Sequence, residues 1–181
     1  MCGRFEFTLK DDKKGKQIKE RAEKLSLVYK EGEIFPTDSV LCIIPVENKV
    51  DLSTMKWGVN SKSLQINARK ESLEDKPSYK EIKENRCAVI CNGFYEWDRQ
   101  KNKYYISSDE EYMYLACIFN RNKELLIITQ SADDDDFLKI HDRIPLIMDQ
   151  EEMLKYIHNQ TGIFDKKDLK IEKVDDELKL F

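Results

Sequence analysis

Val40-Leu-Cys-Ile-Ile-Pro-Val46, then Glu47-Asn-Lys49, then Val50-Asp-Leu-Ser-Thr-Met-Lys-Trp57 form one continuous stretch of the chain. Two runs rich in β-branched and apolar residues flank a link of hairpin length, which reads as a pair of antiparallel strands. The texture recurs at 64–68, 87–91, 104–107, 112–119, 125–130 and 144–148, with further hairpin-length links at 108–111 and 120–123. Three helices are expected around these strands. Residues 12–30 set Ile18, Ala22, Leu25 and Tyr29 on one apolar stripe. A second helix is expected from Pro77 to Asn85, and a third over 150–158 behind Asp149 as N-cap. The four aspartates at 133–136 read as a solvated loop and helix N-terminus, because the ligand spacing of calcium loops is absent. The expected fold class is α+β and β-rich, with mainly antiparallel sheets forming a barrel-like core and a few flanking helices.

A chain of 181 residues is expected to form a single domain over 1–181. Hydrophobic residues make up 40% and charged residues 36%, a composition that fits a heavily charged globular protein. The longest largely apolar run, 40–46, is far short of the roughly 20 residues a spanning helix requires. The N-terminus turns charged at once, without the apolar run of a secretory signal, so a cytoplasmic location is expected. Five cysteines (Cys2, Cys42, Cys87, Cys91, Cys117) contain no C-x-x-C pair, and there are only two histidines. Neither a disulfide framework nor a zinc site is expected, and no metal or organic cofactor is implied. The net charge of −4 lacks the global basic footprint of a nucleic-acid coat protein, so any DNA binding must rest on a local patch.

Cys2 followed by Gly3 stands out because removal of Met1 would leave an α-amine and a thiol on adjacent carbons. An α-amine with a pKa of about 7.7–8.0 is partly neutral at pH 7 and is a competent nucleophile without burial. With an aldehyde it forms an imine, and the thiol can then add to that carbon and close a thiazolidine ring. With an amide or ester the thiolate would attack instead. A small buried structural cysteine is the competing reading.

Three other stretches place polar groups in apolar settings. Gly93-Phe-Tyr-Glu96-Trp97 flanks Glu96 with aromatics, where desolvation would raise its pKa and suit it to proton transfer; an exposed strand-end glutamate is the alternative. Ile140-His141-Asp142-Arg143-Ile144-Pro145 sets a histidine between an apolar residue and an acid, either for catalysis or as a structural residue. Ile66-Asn67-Ala68-Arg69 ends a strand with an amide and a guanidinium, a pair fit to orient a carbonyl and hold a phosphate, or simply a turn with a surface arginine.

These stretches in this order, with Met-Cys-Gly-Arg-Phe at 1–5, resemble the SOS response-associated peptidase family, whose members are also called abasic-site processing proteins. Phe35-Pro36-Thr37, Trp57-Gly58 and Ile-Ile-Thr at 127–129 extend the resemblance over residues 1 to about 150. It implies a cleft for single-stranded DNA and capture of the abasic-site aldehyde by Cys2 once Met1 has been removed, a step the family is thought to perform itself. It further implies that Asn67 orients the aminothiol and opened sugar, Glu96 acts as acid and base, and His141 assists proton transfer and reversal. Phosphate contacts map onto Arg4, Arg69 and Arg143, and aromatic contacts to DNA onto Trp57 and Trp97. The implied product is a covalent thiazolidine DNA–protein crosslink, with weak AP lyase activity as a side reaction and peptidase activity confined to Met1. The partner is then single-stranded DNA with abasic sites, bound by a monomer that is nucleoid-associated when on damaged DNA. Two departures stand in the sequence: Glu33 where members commonly carry asparagine, and a shortened segment after Gly58.

Two rival readings remain at this level. Glutamine amidotransferase-type amidohydrolases also begin Met-Cys-Gly, but continue with an apolar residue and glycine where this chain has Arg4-Phe5. A non-catalytic single-stranded DNA-binding module would use the same cleft without a covalent step.

Overall fold

The computed structural model describes residues 2–61, 63–160 and 167–174. Its strands and helices run β1 (Arg4–Phe7), α1 (Lys13–Lys24), β2 (Gly32–Ile34), β3 (Ser39–Val46), β4 (Lys49–Trp57), β5 (Val59–Asn60), β6 (Leu64–Gln65) and β7 (Asn67–Arg69). They continue with β8 (Arg86–Cys91), β9 (Gly93–Trp97), β10 (Lys103–Ser107), β11 (Met113–Phe119), β12 (Glu124–Ser131), α2 (Asp135–Leu138), β13 (Arg143–Pro145), β14 (Ile147–Met148), α3 (Gln150–Ile157) and β15 (Lys170–Val174).

The opening hairpin forms in full register, from Ser39 opposite Lys56 to Val46 opposite Lys49, with Glu47 in the left-handed region at the turn. Around it, β12, β4, β3, β8 and β11 pair side by side in that order, and a further pairing of β11 with β12 closes them into a ring. The ladders are antiparallel except where β4 and β7 run parallel to β12 along one edge. A second, wholly antiparallel sheet has the order β15-β10-β9-β1-β2. Residues 87–91 and 113–118 are buried without interruption. Strict alternation is lost there because both faces are covered, with α3 packing on β8 and β11 from outside the ring. All five cysteines are buried and free. Among the described residues no helix is long and apolar enough to cross a membrane.

The structure departs from the expectations at identifiable places. The α1 stripe overran: the helix ends at Lys24, where Leu27 N–H donates to Ala22 C=O and Ser26 N–H to Glu23 C=O. With Ser26 at φ 52° this is a Schellman closure in which serine replaces the usual glycine. The helix expected over 77–85 is only a short 3-10 turn, Pro77–Tyr79, followed by further turns. Its far end is held by reciprocal bonds between Asn85 and Phe119, from each residue's nitrogen to the other's carbonyl. The link at 108–111 is not a hairpin, because β10 pairs with β9 and β15 while β11 pairs with β8, β12 and β14. The run at 144–148 splits at Leu146, whose N–H donates to Ile128 and whose carbonyl accepts from Ala116, so it crosses from one ring strand to the next. The third helix matches its expected span to within a residue, and Asp149 and Glu152 cap it reciprocally. Asp134 caps the short α2, in keeping with the reading of the aspartate run.

Candidate active site

Cys2 leads into β1 and is 1% exposed. Its carbonyl accepts a 2.9 Å hydrogen bond from Asn67 Nδ2. Asn67 reaches it because β7 lies along β12, with Asn67 opposite Ile127 and Arg69 opposite Thr129. Alternation then sends Ala68 into the core and leaves Arg69 exposed. The buried Asn67 Oδ1 has no hydrogen-bond partner among the described residues, an acceptor unmatched in the free protein. Burial pushes the Cys2 thiol well up, and the nearby charge of Glu96 adds to that effect. The thiol is therefore protonated at neutral pH and needs a base before it can attack.

Glu96 owes its position to the pleat of β9. Phe94 is fully buried, and Glu96, two residues on, points to the same side and is 3% exposed. Burial pushes its carboxyl up to about 7, with the charge of Asp142 adding to the rise. His141 Nε2 stands 3.8 Å from Glu96 Oε1. His141 Nδ1 lies 2.9 Å from both the Arg143 backbone nitrogen and Asp142 Oδ1, which leaves Nε2 as the ring nitrogen that faces Glu96. Burial lowers the His141 pKa, with the Arg143 charge acting in the same direction. A polar cavity of about 580 Å³ opens beside this pair, lined by Trp97, Arg99, Lys139, His141 and Asp142 among others.

Arg4 lies between two aromatic rings, its guanidinium carbon 4.4 Å from the Phe35 centroid and 4.9 Å from that of Trp97. The Arg69 side chain makes no hydrogen bond or ion pair with other described residues. Two expected DNA contacts need correction. Trp57 is wholly buried, packs on Phe5 at 5.1 Å and donates its indole N–H to Ile66 C=O, so it offers no face to a base. The Arg143 guanidinium is committed within the protein: both terminal nitrogens reach Glu71, and one also reaches the Thr129 carbonyl. That bidentate pairing holds the Glu71 carboxyl down at about 2. Arg143 thus anchors the His141 segment to β12 and is not offered to a phosphate. The structure brings Cys2 and Asn67 together, and likewise Glu96 and His141, with the Glu96 charge felt at the Cys2 thiol.

Three participants were not singled out as site residues from sequence. Phe35 was legible only as part of a motif, and Glu71 lies 72 positions from Arg143. Lys103 binds Glu33 at 2.7 Å across strands that are not neighbours in sequence.

A family model described as SOS response associated peptidase (SRAP) matches residues 1–179. The abasic site processing protein YoqW of Bacillus subtilis (strain 168) is 30% identical over 114 residues, covering 55% of this chain and 49% of that protein. The abasic site processing protein YedK of Escherichia coli (strain K12) is 24% identical over 192 residues, covering 90% and 82%. The match thus spans about half the length of YoqW and more of YedK. Among solved structures, a protein from Bacteroides thetaiotaomicron superposes with a TM-score of 0.78 at 21% identity, covering 97% of this chain and 93% of that one. One from Bordetella bronchiseptica gives 0.73 at 16% identity, covering 96% and 100%. At these identities the likeness to both establishes a common fold.

Proposed function

The chain belongs to the SOS response associated peptidase (SRAP) family, and on that premise we propose that it processes abasic sites in DNA, the activity carried in the names of its curated relatives. In the finer reading, removal of Met1 frees the amine and thiol of Cys2, which capture the aldehyde of an abasic site in single-stranded DNA. The observation that carries this reading is one arrangement: Asn67 bonded to the Cys2 carbonyl, and a buried Glu96 that faces His141 and acts electrostatically on the Cys2 thiol.

The Cys2 amine adds to C1′ of the open-chain deoxyribose, and the carbinolamine loses water to give an imine. The thiol then adds across the C=N bond, sulfur to carbon and hydrogen to nitrogen, and closes the ring. One water leaves and nothing is oxidised or reduced. A carboxyl with a pKa of about 7 is poised for both directions of proton transfer. Protonated, Glu96 gives its proton to the ring oxygen as the closed sugar opens; as carboxylate, it takes the proton of the buried thiol. Neutral His141, with Nε2 turned toward Glu96, supports that exchange. Asn67 Oδ1, buried and without a partner among the described residues, accepts from the freed amine or a sugar hydroxyl in this reading. β-Elimination from the imine is the competing exit and would give weak AP lyase activity as a side reaction. The closed adduct shields the strand from further cleavage.

The test is a denaturing gel of the protein, its loss of Met1 verified by intact mass, with an oligonucleotide carrying one abasic site. An undamaged oligonucleotide and a Cys2→Ala variant run beside it. A heat-stable slower band that needs both the abasic site and Cys2 is expected. Its absence from processed protein would overturn covalent capture and turn attention to glutamine hydrolysis and reversible DNA binding.

A further inference from the structure

The outer face of the β15-β10-β9-β1-β2 sheet carries a charge arrangement that the proposed chemistry does not use. Alternation and register put Arg4, Glu6, Glu33, Tyr95, Trp97 and Lys103 on that one face, with Glu6 accepting from the Tyr95 hydroxyl at 2.7 Å. The Glu33 carboxylate spans the two cations: Oε1 lies 2.7 Å from Lys103 Nζ and Oε2 lies 3.4 Å from Arg4 Nη1. Each cation also rests on an aromatic ring, Arg4 between Phe35 and Trp97 and Lys103 on Tyr95 at 4.1 Å. A single carboxylate with one oxygen on each of two cations, beside aromatic rings, has the charge and spacing of a bound phosphodiester next to stacked bases.

We propose that Glu33 is a resident counter-ion that a phosphate of single-stranded DNA must displace from Arg4, so that Glu33 sets how strongly the protein holds undamaged strands. This rests on the reading of the protein as one that acts on single-stranded DNA. The contact with Arg4 is the longer of the two, so Arg4 is the side that opens while Lys103 retains Glu33. With Glu33 in place this face offers the strand one positive charge fewer than it would without it. Reversible binding stays weak, and lasting attachment is reserved for strands that offer an aldehyde. Glu33 is thus a specificity-determining residue, acting through Arg4 rather than on the reacting atoms.

The experiment compares wild type, Glu33→Gln and Glu20→Gln, the last removing the same charge from the exposed side of α1. Fluorescence anisotropy with an undamaged single-stranded oligonucleotide across a salt series reads affinity. A denaturing gel with abasic oligonucleotide reads the adduct. Glu33→Gln is expected to bind undamaged DNA about three- to tenfold more tightly at moderate salt, with a log–log salt slope steeper by about 0.7 for one further phosphate neutralised. Glu20→Gln is expected to match wild type. Equal affinity and slope for Glu33→Gln and wild type, in protein that melts normally, would overturn the proposal while leaving covalent capture standing. A matching gain in Glu20→Gln would overturn it too, by showing a global charge effect. If the glutamine variant misfolds, Glu33→Ala is read by the same criteria. Neither binding nor adduct from any variant would remove the single-stranded DNA reading itself, and this inference with it.

Discussion

Glu96 is where the pleat of a strand and the needs of chemistry coincide, and its titration can be followed without any substrate. Its folded-state pKa of about 7 lies above the ordinary carboxylate value of 4.5. Burial therefore costs little while both states are protonated; the cost builds as pH rises above about 4.5, where the unfolded carboxyl ionises, and is complete above about 7, where the folded one does. Relative to Glu96→Gln, wild type should be equally stable near pH 4 and lose at most about 3 kcal/mol by pH 8. Urea unfolding of both proteins at the two pH values checks this, and a gap that is constant with pH would show that Glu96 is not held as described. The same substitution should slow adduct formation by about 10²–10⁴-fold and remove the inflection near pH 7 from its rate profile. What sequence offered at this scale was uneven for physical reasons. Cys2 was legible because its chemistry follows from chain position alone, and Glu96 because aromatics on both sides signal desolvation. The burial of Trp57 was not. Ser53, Met55 and Trp57 share the buried face of β4, but Val50 and Leu52 make the opposite face equally apolar, so alternation within 50–57 did not say which side turns inward.

At the scale of elements, the tightest constraint near the site is the crossing of β9 and β10 at Gly93. A Cβ there would lie 2.4 Å from the Tyr105 ring, so the ring sits on the glycine and fills the space a side chain would take. Tyr105 also packs on Tyr95 at 5.0 Å, which limits its retreat. Gly93→Ala should destabilise the protein by about 1–3 kcal/mol through overpacking. Combining it with Tyr105→Ala should give less than the sum of the two single losses, since the second change removes the clash made by the first. Denaturant midpoints of the two single variants and the double variant check this, and simple additivity would mean that the glycine is needed for some other reason. Elements with strong local signals were readable: the β3–β4 hairpin, the β11–β12 hairpin and the capped α3 each carry their instructions within a few residues. Elements set by distant partners were not. β1, β2 and β15 are short and rich in charge, and each is a strand only because another strand lies beside it. The segment at 108–111 had the length of a hairpin, but Asn92 Nδ2 donates to the Glu111 carbonyl and ties it to a crossing between sheets.

Over the whole molecule, the question is how a chain of net charge −4 meets a polyanion. Of the three arginines expected to hold phosphates, Arg143 is locked to Glu71 and Arg4 is shared with Glu33, which leaves Arg69 as the one exposed and without a protein partner among the described residues. No count of charges along the sequence separates these cases, because the carboxylates that claim Arg4 and Arg143 are 29 and 72 positions away. Arg69, together with Arg4 once a phosphate has displaced Glu33 from it, implies that reversible binding to single-stranded DNA neutralises about two phosphates, giving a log–log salt slope of about −1.4. The covalent product obeys a different rule, since its carbon–nitrogen and carbon–sulfur bonds owe nothing to counter-ion release. Wild type should therefore release undamaged oligonucleotide readily as salt is raised to about 1 M, where screening is nearly complete, while adduct formed beforehand stays intact. Anisotropy for the first and a denaturing gel after the salt wash for the second check the pair of outcomes. A slope steeper than about −3 would mean that four or more phosphates are neutralised and that cations such as Arg99 and Lys139, at the cavity beside His141, also engage the strand. Loss of preformed adduct in salt would mean that the attachment is ionic and that Cys2 makes no bond to the sugar.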